Sequence, residues 1–200
     1  FHGRYEDPLS WHAYFYRPPA PFPLVRPVNG IPNTDNFDWG PVQVEDGEMP
    51  DGATTRWAVA YLNNDSTERL SAGNHQTRSM LHMREDGKRN ADDPFFLAVG
   101  IFRPHLPWYV PQKYFDMYPL ADITLPLVKE DDLDDVPAIG RKWANPEGYH
   151  KSVMESGNWK KAVQGYLASI SFADACIGRL LDALDHSPYR DNTIIVLWGD

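Results

Sequence analysis

Two short, mostly apolar runs with one long amphipathic segment between them constrain the fold of this chain most strongly. The runs cover residues 95–102 and 193–198, and each has the length of a strand rather than of a helix. Between them, residues 159–185 carry apolar side chains at steps of three and four, which predicts a helix with one apolar face. A strand, a connection ending in a helix and a second strand form a crossover unit. We therefore expect an α/β fold with a mostly parallel sheet flanked by helices.

The segment before the first apolar run is rich in loops. Residues 1–50 contain many Pro, Gly, Asp and aromatic residues without a sustained period, which is typical of functional loops. Residues 53–63 have apolar side chains at helical spacing and predict a helix. We expect the polar residues 64–93 to extend this helix before reaching a loop.

The chain divides into a loop-rich segment with one helix, residues 1–94, and a strand–loop–helix–strand unit, residues 95–200. We expect both to belong to a single domain. The second apolar run has no helix after it, so we expect the natural domain to continue beyond Asp200.

Composition and charge argue against several classes of function. The net charge of −9 argues against a nucleic-acid-binding protein, because such a protein needs a basic face. An anionic substrate is compatible with this net charge, since a binding pocket can be locally positive on an acidic protein. No run of eighteen apolar residues is present, so we expect no membrane span. The single cysteine, Cys176, lies beside the apolar stripe of the predicted long helix, and we interpret it as a packing residue.

The candidate site lies where the two predicted strands end, because ligands of open α/β sheets bind at the carboxyl ends of strands. The first run leads to Arg103, Pro104 and His105, and the second leads to Asp200. Asp200 is either a turn former or a metal ligand. His105 lies on a backbone stiffened by prolines and is either a positioned reactive group or a histidine satisfied within its loop. These residues alone do not identify the reaction that the site would catalyse.

Several separated motifs, in the same order, resemble the sulfatase family, in particular iduronate-2-sulfatase and its bacterial relatives. These motifs are residues 95–100, residues 103–107, Tyr118-Pro119-Leu120, residues 166–174, residues 178–181, residues 192–195 and the following Asp200. The segment Phe1-His2-Gly3 resembles the end of the Gly-Lys-x-Phe-His motif of the family. The resemblance implies an alkaline-phosphatase-like fold, hydrolysis of a sulfate ester and a bound Ca²⁺ ion.

The resemblance also implies roles for four residues. His2 matches the histidine that contacts the sulfate and the catalytic formylglycine. His105 matches the histidine that hydrogen-bonds the sulfate ester near its leaving oxygen, and Asp200 matches an aspartate that coordinates calcium. Arg103 stands where relatives carry Lys or Arg, so it is either a substrate contact or a surface arginine.

The nucleophile of the family, a formylglycine made from Cys or Ser in a Cys/Ser-x-Pro/Ala-x-Arg motif, has no counterpart here. Cys176 is followed by Ile177-Gly178-Arg179, which is not that motif. We therefore expect a fragment cut at both ends, with an incomplete calcium site and no activity alone, from an active parent. The resemblance implies a sulfated sugar or glycosaminoglycan as substrate, and export to a periplasmic, extracellular or lysosomal compartment.

Two other functions remain open from the sequence. The first is a phosphoesterase of the same superfamily, which would need additional His and Asp ligands for zinc. The second is a non-catalytic carbohydrate-binding protein that keeps the sulfatase fold. In the second case, aromatic residues such as Trp11, Trp39, Trp108 and Tyr109 either line a sugar site or pack in the core.

Overall fold

The computed structural model describes residues 14–32, 34, 37–65 and 94–199. Two strands and five α-helices occur in these residues. They are β1 (Trp39–Val42), α1 (Pro50–Leu62), β2 (Trp108–Pro111), α2 (Gln112–Asp116), α3 (Ala138–Ala144), α4 (Tyr149–Glu155) and α5 (Trp159–Asp185). None of these helices is long and apolar enough to cross a membrane.

The chain forms two compact units, each built from separated segments. The first unit contains Phe1–Ala20, Asp46–Ile101 and Ala175–Asp200, and the second contains Pro21–Glu45 and Phe102–Asp174. The assignment of all 200 residues to one domain stays a prediction.

Both helices predicted from periodicity are confirmed. The long amphipathic helix α5 occupies Trp159–Asp185, the range that its apolar stripe indicates. Helix α1 begins at Pro50, three residues before the predicted start at residue 53. Proline is favoured in the first turn of a helix because the amide hydrogen that it lacks would have no partner inside the helix there.

The predicted strands at the two apolar runs are not found in the described residues, because none of residues 94–102 and 193–199 belongs to a β-strand. In the first run, half-buried and exposed side chains alternate, and Phe95 and Leu97 pack against a helical cluster. In the second run, Ile194–Trp198 are all exposed. A strand requires a hydrogen-bonded neighbour, and an apolar run does not reveal whether one is present.

The strand pair that does form was missed. Strands β1 and β2 pair in parallel, with Trp39 opposite Trp108 and Val42 opposite Pro111. Each strand has four residues and contains a proline, a residue that sequence patterns count against strands. Prolines are tolerated here because both strands of a two-stranded sheet are edge strands. The combination of helices with a parallel pair is compatible with the predicted α/β class.

In the first unit, close packing surrounds helix α1 and the end of α5. Leu62, Leu184 and Tyr189 form a buried cluster. Gly52, in the first turn of α1, lies so close to the preceding 3-10 turn that a Cβ atom would be 1.7 Å from the carbonyl oxygen of Asp46. The buried Asp46 carboxylate accepts a hydrogen bond from Arg179 of α5.

In the second unit, helix α5 packs directly on strand β1. A Cβ atom at Gly165 would lie 2.7 Å from the Cβ of Trp39, so glycine permits the close approach. Further along the helix, Phe172 is fully buried and its ring contacts that of Tyr114 at 5.4 Å. Gln164 donates a hydrogen bond to the carbonyl of Tyr118 at 2.7 Å, which secures the chain after α2.

Candidate functional site

His105 lies on a short loop that leads into β2, and its side chain is exposed. Its Nδ1 atom is 2.6 Å from the carbonyl oxygen of Leu106, and its ring lies 4.4 Å from that of Phe102. Because a carbonyl only accepts hydrogen bonds, Nδ1 carries the proton in this contact. The peptide bonds before Pro104 and Pro107 are cis.

Three further hydrogen bonds fix the loop of residues 102–109, which we call the His105 loop. The backbone amide of His105 donates to the carbonyl of Phe102 at 3.0 Å. The indole Nε1 of Trp108 donates to the carbonyl of Pro104 at 2.6 Å. The amide of Tyr109 donates to the carbonyl of Pro107 at 3.0 Å. The loop therefore holds its histidine on a backbone secured on both sides.

Arg103 is buried rather than a surface arginine, with 7% of its surface exposed. Its guanidinium donates hydrogen bonds to the carbonyl oxygens of His105 at 3.4 Å and Tyr109 at 3.3 Å. These contacts join the start of the His105 loop to its end, so Arg103 has a structural role within the loop. Its role as a substrate contact stays a prediction.

Beneath this loop, the buried carboxylate of Asp38 forms a network that the sequence did not reveal. It accepts hydrogen bonds from the backbone amides of Val28 and Asn29, at 2.6 and 3.1 Å, and from the Asn29 side chain at 2.7 Å. The hydroxyl of Tyr109 donates a further hydrogen bond to Asp38. The backbone carbonyl of Asp38 accepts the amide of Trp108 at 2.9 Å, which ties β1 to the end of the loop.

The electrostatics of this network follow from burial and hydrogen bonding. Burial raises the pKa of Asp38, but the hydrogen bonds from Tyr109, Asn29 and Val28 outweigh it, and the pKa falls below its usual value. For Tyr109, burial and the hydrogen bond to the Asp38 carboxylate both raise the pKa of the phenol. The pair therefore holds a carboxylate and a neutral phenol at neutral pH.

An aromatic cavity of about 390 Å³ is lined in part by Trp108. It is lined by Phe37, Trp108, His150, Val153, Trp159, Ala162, Val163 and Tyr166. Of the four aromatic residues that the sequence offered for a sugar site, Trp108 lines this cavity, Trp39 and Tyr109 are buried in the core, and Trp11 lies outside the described residues. The cavity draws on β2, α4, α5 and the segment before β1, so no local motif could have indicated it.

Two predicted site residues, His2 and Asp200, lie outside the described residues. The structure therefore does not test whether they approach His105. In the described ranges, no group of three or more His, Cys, Asp or Glu side chains could hold a metal ion. The residues described here do not by themselves provide the implied calcium site.

The interpretation of Cys176 as a packing residue is confirmed. Its side chain is fully buried in α5. Burial raises the pKa of its thiol to about 11, although the nearby Thr55 hydroxyl and the Arg179 guanidinium act in the opposite direction. A buried thiol that stays protonated at neutral pH is unsuited to nucleophilic attack.

Comparison with known proteins identifies the family. The sulfatase family profile matches residues 11–200. A sulfatase from Formosa agariphila is 41% identical over 167 residues, covering 82% of this chain and 28% of the relative. The human iduronate 2-sulfatase is 33% identical over 62% of this chain and 24% of its own length. An arylsulfatase from Clostridium perfringens is 34% identical over 56% of this chain and 23% of its own length.

The chain spans about a quarter of the length of these three relatives. The matching part is nevertheless almost the whole of the chain, since the family profile begins at residue 11 and ends at residue 200. The chain therefore belongs to the sulfatase family.

Proposed function

We propose that the full-length protein hydrolyses sulfate esters and that His105 acts on the ester oxygen that leaves. The observation that supports this proposal is the exposed imidazole of His105 on a loop braced by Trp108 and Arg103. A reactive side chain needs access to substrate and a fixed position, and this loop combines both. The sulfatase names of the relatives support the class of reaction.

The chemistry of His105 in this proposal is proton transfer. As the sulfuryl group passes to the nucleophile that the full-length protein would supply, the sulfur–oxygen bond of the ester breaks and negative charge develops on the leaving oxygen. A protonated imidazole can donate its Nε2 hydrogen to that oxygen. The carbonyl of Leu106 accepts the Nδ1 hydrogen, which leaves Nε2 as the ring nitrogen that can transfer a proton. His105 finishes the step neutral and the product leaves as an alcohol.

The proposal assigns other parts of the site by resemblance. His2 would contact the sulfate, Asp200 would be one calcium ligand, and Arg103 would contact substrate if its loop rearranged. Calcium would neutralise charge on the sulfate oxygens, but a single carboxylate cannot hold it, since calcium takes six to eight oxygen ligands. The formylglycine nucleophile would come from outside this chain. We therefore propose that these 200 residues alone release no sulfate.

We further propose a sulfated sugar or glycosaminoglycan as substrate. The match to iduronate 2-sulfatase supports a sugar, whereas the arylsulfatase match supports a simpler aryl ester. We also propose that the full-length protein completes an alkaline-phosphatase-like α/β fold and is exported. Cell fractionation tests export, and a structure of the full-length protein tests the fold.

The decisive experiment measures sulfate release by the full-length protein. The panel contains sulfated mono- and disaccharides and an aryl sulfate, with an aryl phosphate as the competing substrate. The variants are His105→Ala and Asp200→Ala. The matched control is His186→Ala, because His186 is also exposed and its Nδ1 also lies close to a backbone carbonyl, that of Asp182, at 2.7 Å.

Sulfate release that both site variants lose and His186→Ala keeps is the expected result. We expect His105→Ala to lower kcat by about 10²- to 10⁴-fold, the usual contribution of a positioned general acid. Unchanged turnover in His105→Ala would reject its role. Release of phosphate without sulfate would favour the phosphoesterase, and binding of the sugars without release of either would favour the carbohydrate-binding protein.

A further inference from the structure

Trp108 makes the one side-chain contact to the carbonyl of Pro104 seen among the described residues. Its Nε1–H donates to that oxygen at 2.6 Å, across the four residues that include His105. Closing so short a segment with a hydrogen bond restricts the backbone torsions of every residue between its ends. His105 therefore directly follows Pro104, the residue whose carbonyl accepts the hydrogen bond from the indole.

The indole ring is itself fixed by three aromatic neighbours. Its centroid lies 5.2 Å from that of Phe37, 6.4 Å from that of Trp39 and 5.1 Å from that of Tyr166. Tilted and edge-on contacts of this kind hold a ring in one orientation. Because the ring cannot turn freely, its N–H direction is set by β1 and α5 rather than by the loop.

The backbone of Trp108 is held as well. Its amide donates to the carbonyl of Asp38 at 2.9 Å, and Asp38 is buried within its own set of donors. Trp108 is therefore anchored through its main chain to Asp38, which directly precedes β1, and through its side chain to Pro104 within the His105 loop.

We propose that Trp108 is a positioning residue for His105, through the hydrogen bond from its indole to Pro104. This inference rests on the proposed function only for its effect on turnover, because the position of the imidazole can be observed separately. Without the indole N–H, the Pro104 carbonyl loses its partner and the loop samples additional conformations. The imidazole then spends less time in the orientation that donates to a leaving oxygen, while ground-state binding changes little.

The test uses Trp108→Phe in the full-length protein, which keeps an aromatic ring and removes the N–H donor. A second variant carries benzothienylalanine at position 108, in which sulfur replaces the N–H in a ring of nearly unchanged shape. Trp143→Phe is the matched control, because Trp143 is 79% exposed on α3. The readouts are kcat, KM and the imidazole Cε1–H signal of His105 in histidine-labelled protein, assigned with His105→Ala. Thermal unfolding verifies that each variant is folded.

We expect kcat to fall about tenfold in both position-108 variants, with KM changed by less than about twofold. We also expect the His105 signal to shift or broaden in both, and Trp143→Phe to change neither readout. An unchanged kcat and signal in the benzothienylalanine variant would overturn the inference. A shifted signal together with full activity of His105→Ala would uphold the positioning by Trp108 and reject the proposed catalytic role of His105.

Discussion

Asp38 in the second unit and Asp46 in the first are both buried carboxylates, exposed by 2% and 6%, yet they are held in different ways. Asp38 accepts hydrogen bonds from short, uncharged donors at Val28, Asn29 and Tyr109. Asp46 accepts one from Arg179, whose long side chain is 42% exposed. Short donors held by the folded chain fix a carboxylate more firmly than a flexible, partly exposed cation that water can screen.

This difference separates the surroundings of the His105 loop from the surroundings of Asp46. The Asp38 network holds β1, β2 and the end of the His105 loop together. The Asp46 region depends more on close packing, because the carbonyl of Asp46 lies against Gly52 at the start of α1. The two units can therefore be distinguished by which kind of substitution damages them.

The largest effect is expected for Asp38→Ala. This change removes the acceptor of the buried Tyr109 hydroxyl and of the backbone amides of Val28 and Asn29. We expect a loss of about 3–5 kcal/mol in the free energy of unfolding of the full-length protein, measured with denaturant. Asp132→Ala, in an exposed turn, is the control. An equal or larger loss in Asp46→Ala would contradict the comparison.

Next in size is Gly52→Ala, which tests close packing in the first unit. A Cβ atom at this position meets the Asp46 carbonyl oxygen at 1.7 Å, so α1 or the preceding turn must shift. We expect a destabilisation of about 3 kcal/mol from this overpacking. The control is Gly178→Ala in α5, where nothing lies within 4 Å of the added atom. That change should stabilise the protein by about 0.5–1 kcal/mol, and a stabilising Gly52→Ala would refute the packing argument.

A smaller effect is expected for Arg179→Ala. The guanidinium is the charged partner that the structure shows for Asp46, but its exposure to solvent weakens the pair. We expect a loss of about 1 kcal/mol in the free energy of unfolding, and a smaller loss at high salt. Arg190→Ala, which removes an exposed pair with Asp191, is the reference. A loss as large as that of Asp38→Ala would remove the distinction between the two carboxylates.

The smallest effect concerns acid stability. The folded pKa of Asp38 is lowered below its usual value of 3.8, so the unfolded protein binds this proton more tightly than the folded protein. Its contribution to stability is present above pH 3.8 and is lost as the pH falls through the lower, folded pKa. Unfolding free energies measured between pH 6 and pH 2 should fall less steeply in Asp38→Asn. An identical slope in both proteins would show that Asp38 does not contribute.

The sequence predicted features that depend on a single segment. The long helix α5 was predicted with its observed bounds because an apolar stripe over 27 residues is a local property. The stiff backbone around His105 was predicted from Pro104 and Pro107, which flank it. Both predictions needed only residues close together in the chain.

Features that depend on distant partners could not be predicted. The donors to Asp38 lie 9, 10 and 71 residues away, so nothing near Phe37-Asp38-Trp39 indicates a network. The two apolar runs have the composition of strands, but a strand forms only beside a hydrogen-bonded neighbouring strand. The composition of a run does not indicate whether such a neighbour is present. The burial of Arg103 likewise depends on carbonyl groups presented by the folded loop.

The exposed apolar run near the end of the chain has a practical consequence. Ile194, Val196, Leu197 and Trp198 each expose between 69% and 92% of their surface, and no backbone pairing covers the segment within the described residues. A short, uncharged, β-branched segment of this kind adds readily to strands of other molecules. We expect these 200 residues, produced alone, to self-associate and to need a solubility tag. Charged substitutions at positions 194 and 196 would restore monodisperse behaviour in light scattering.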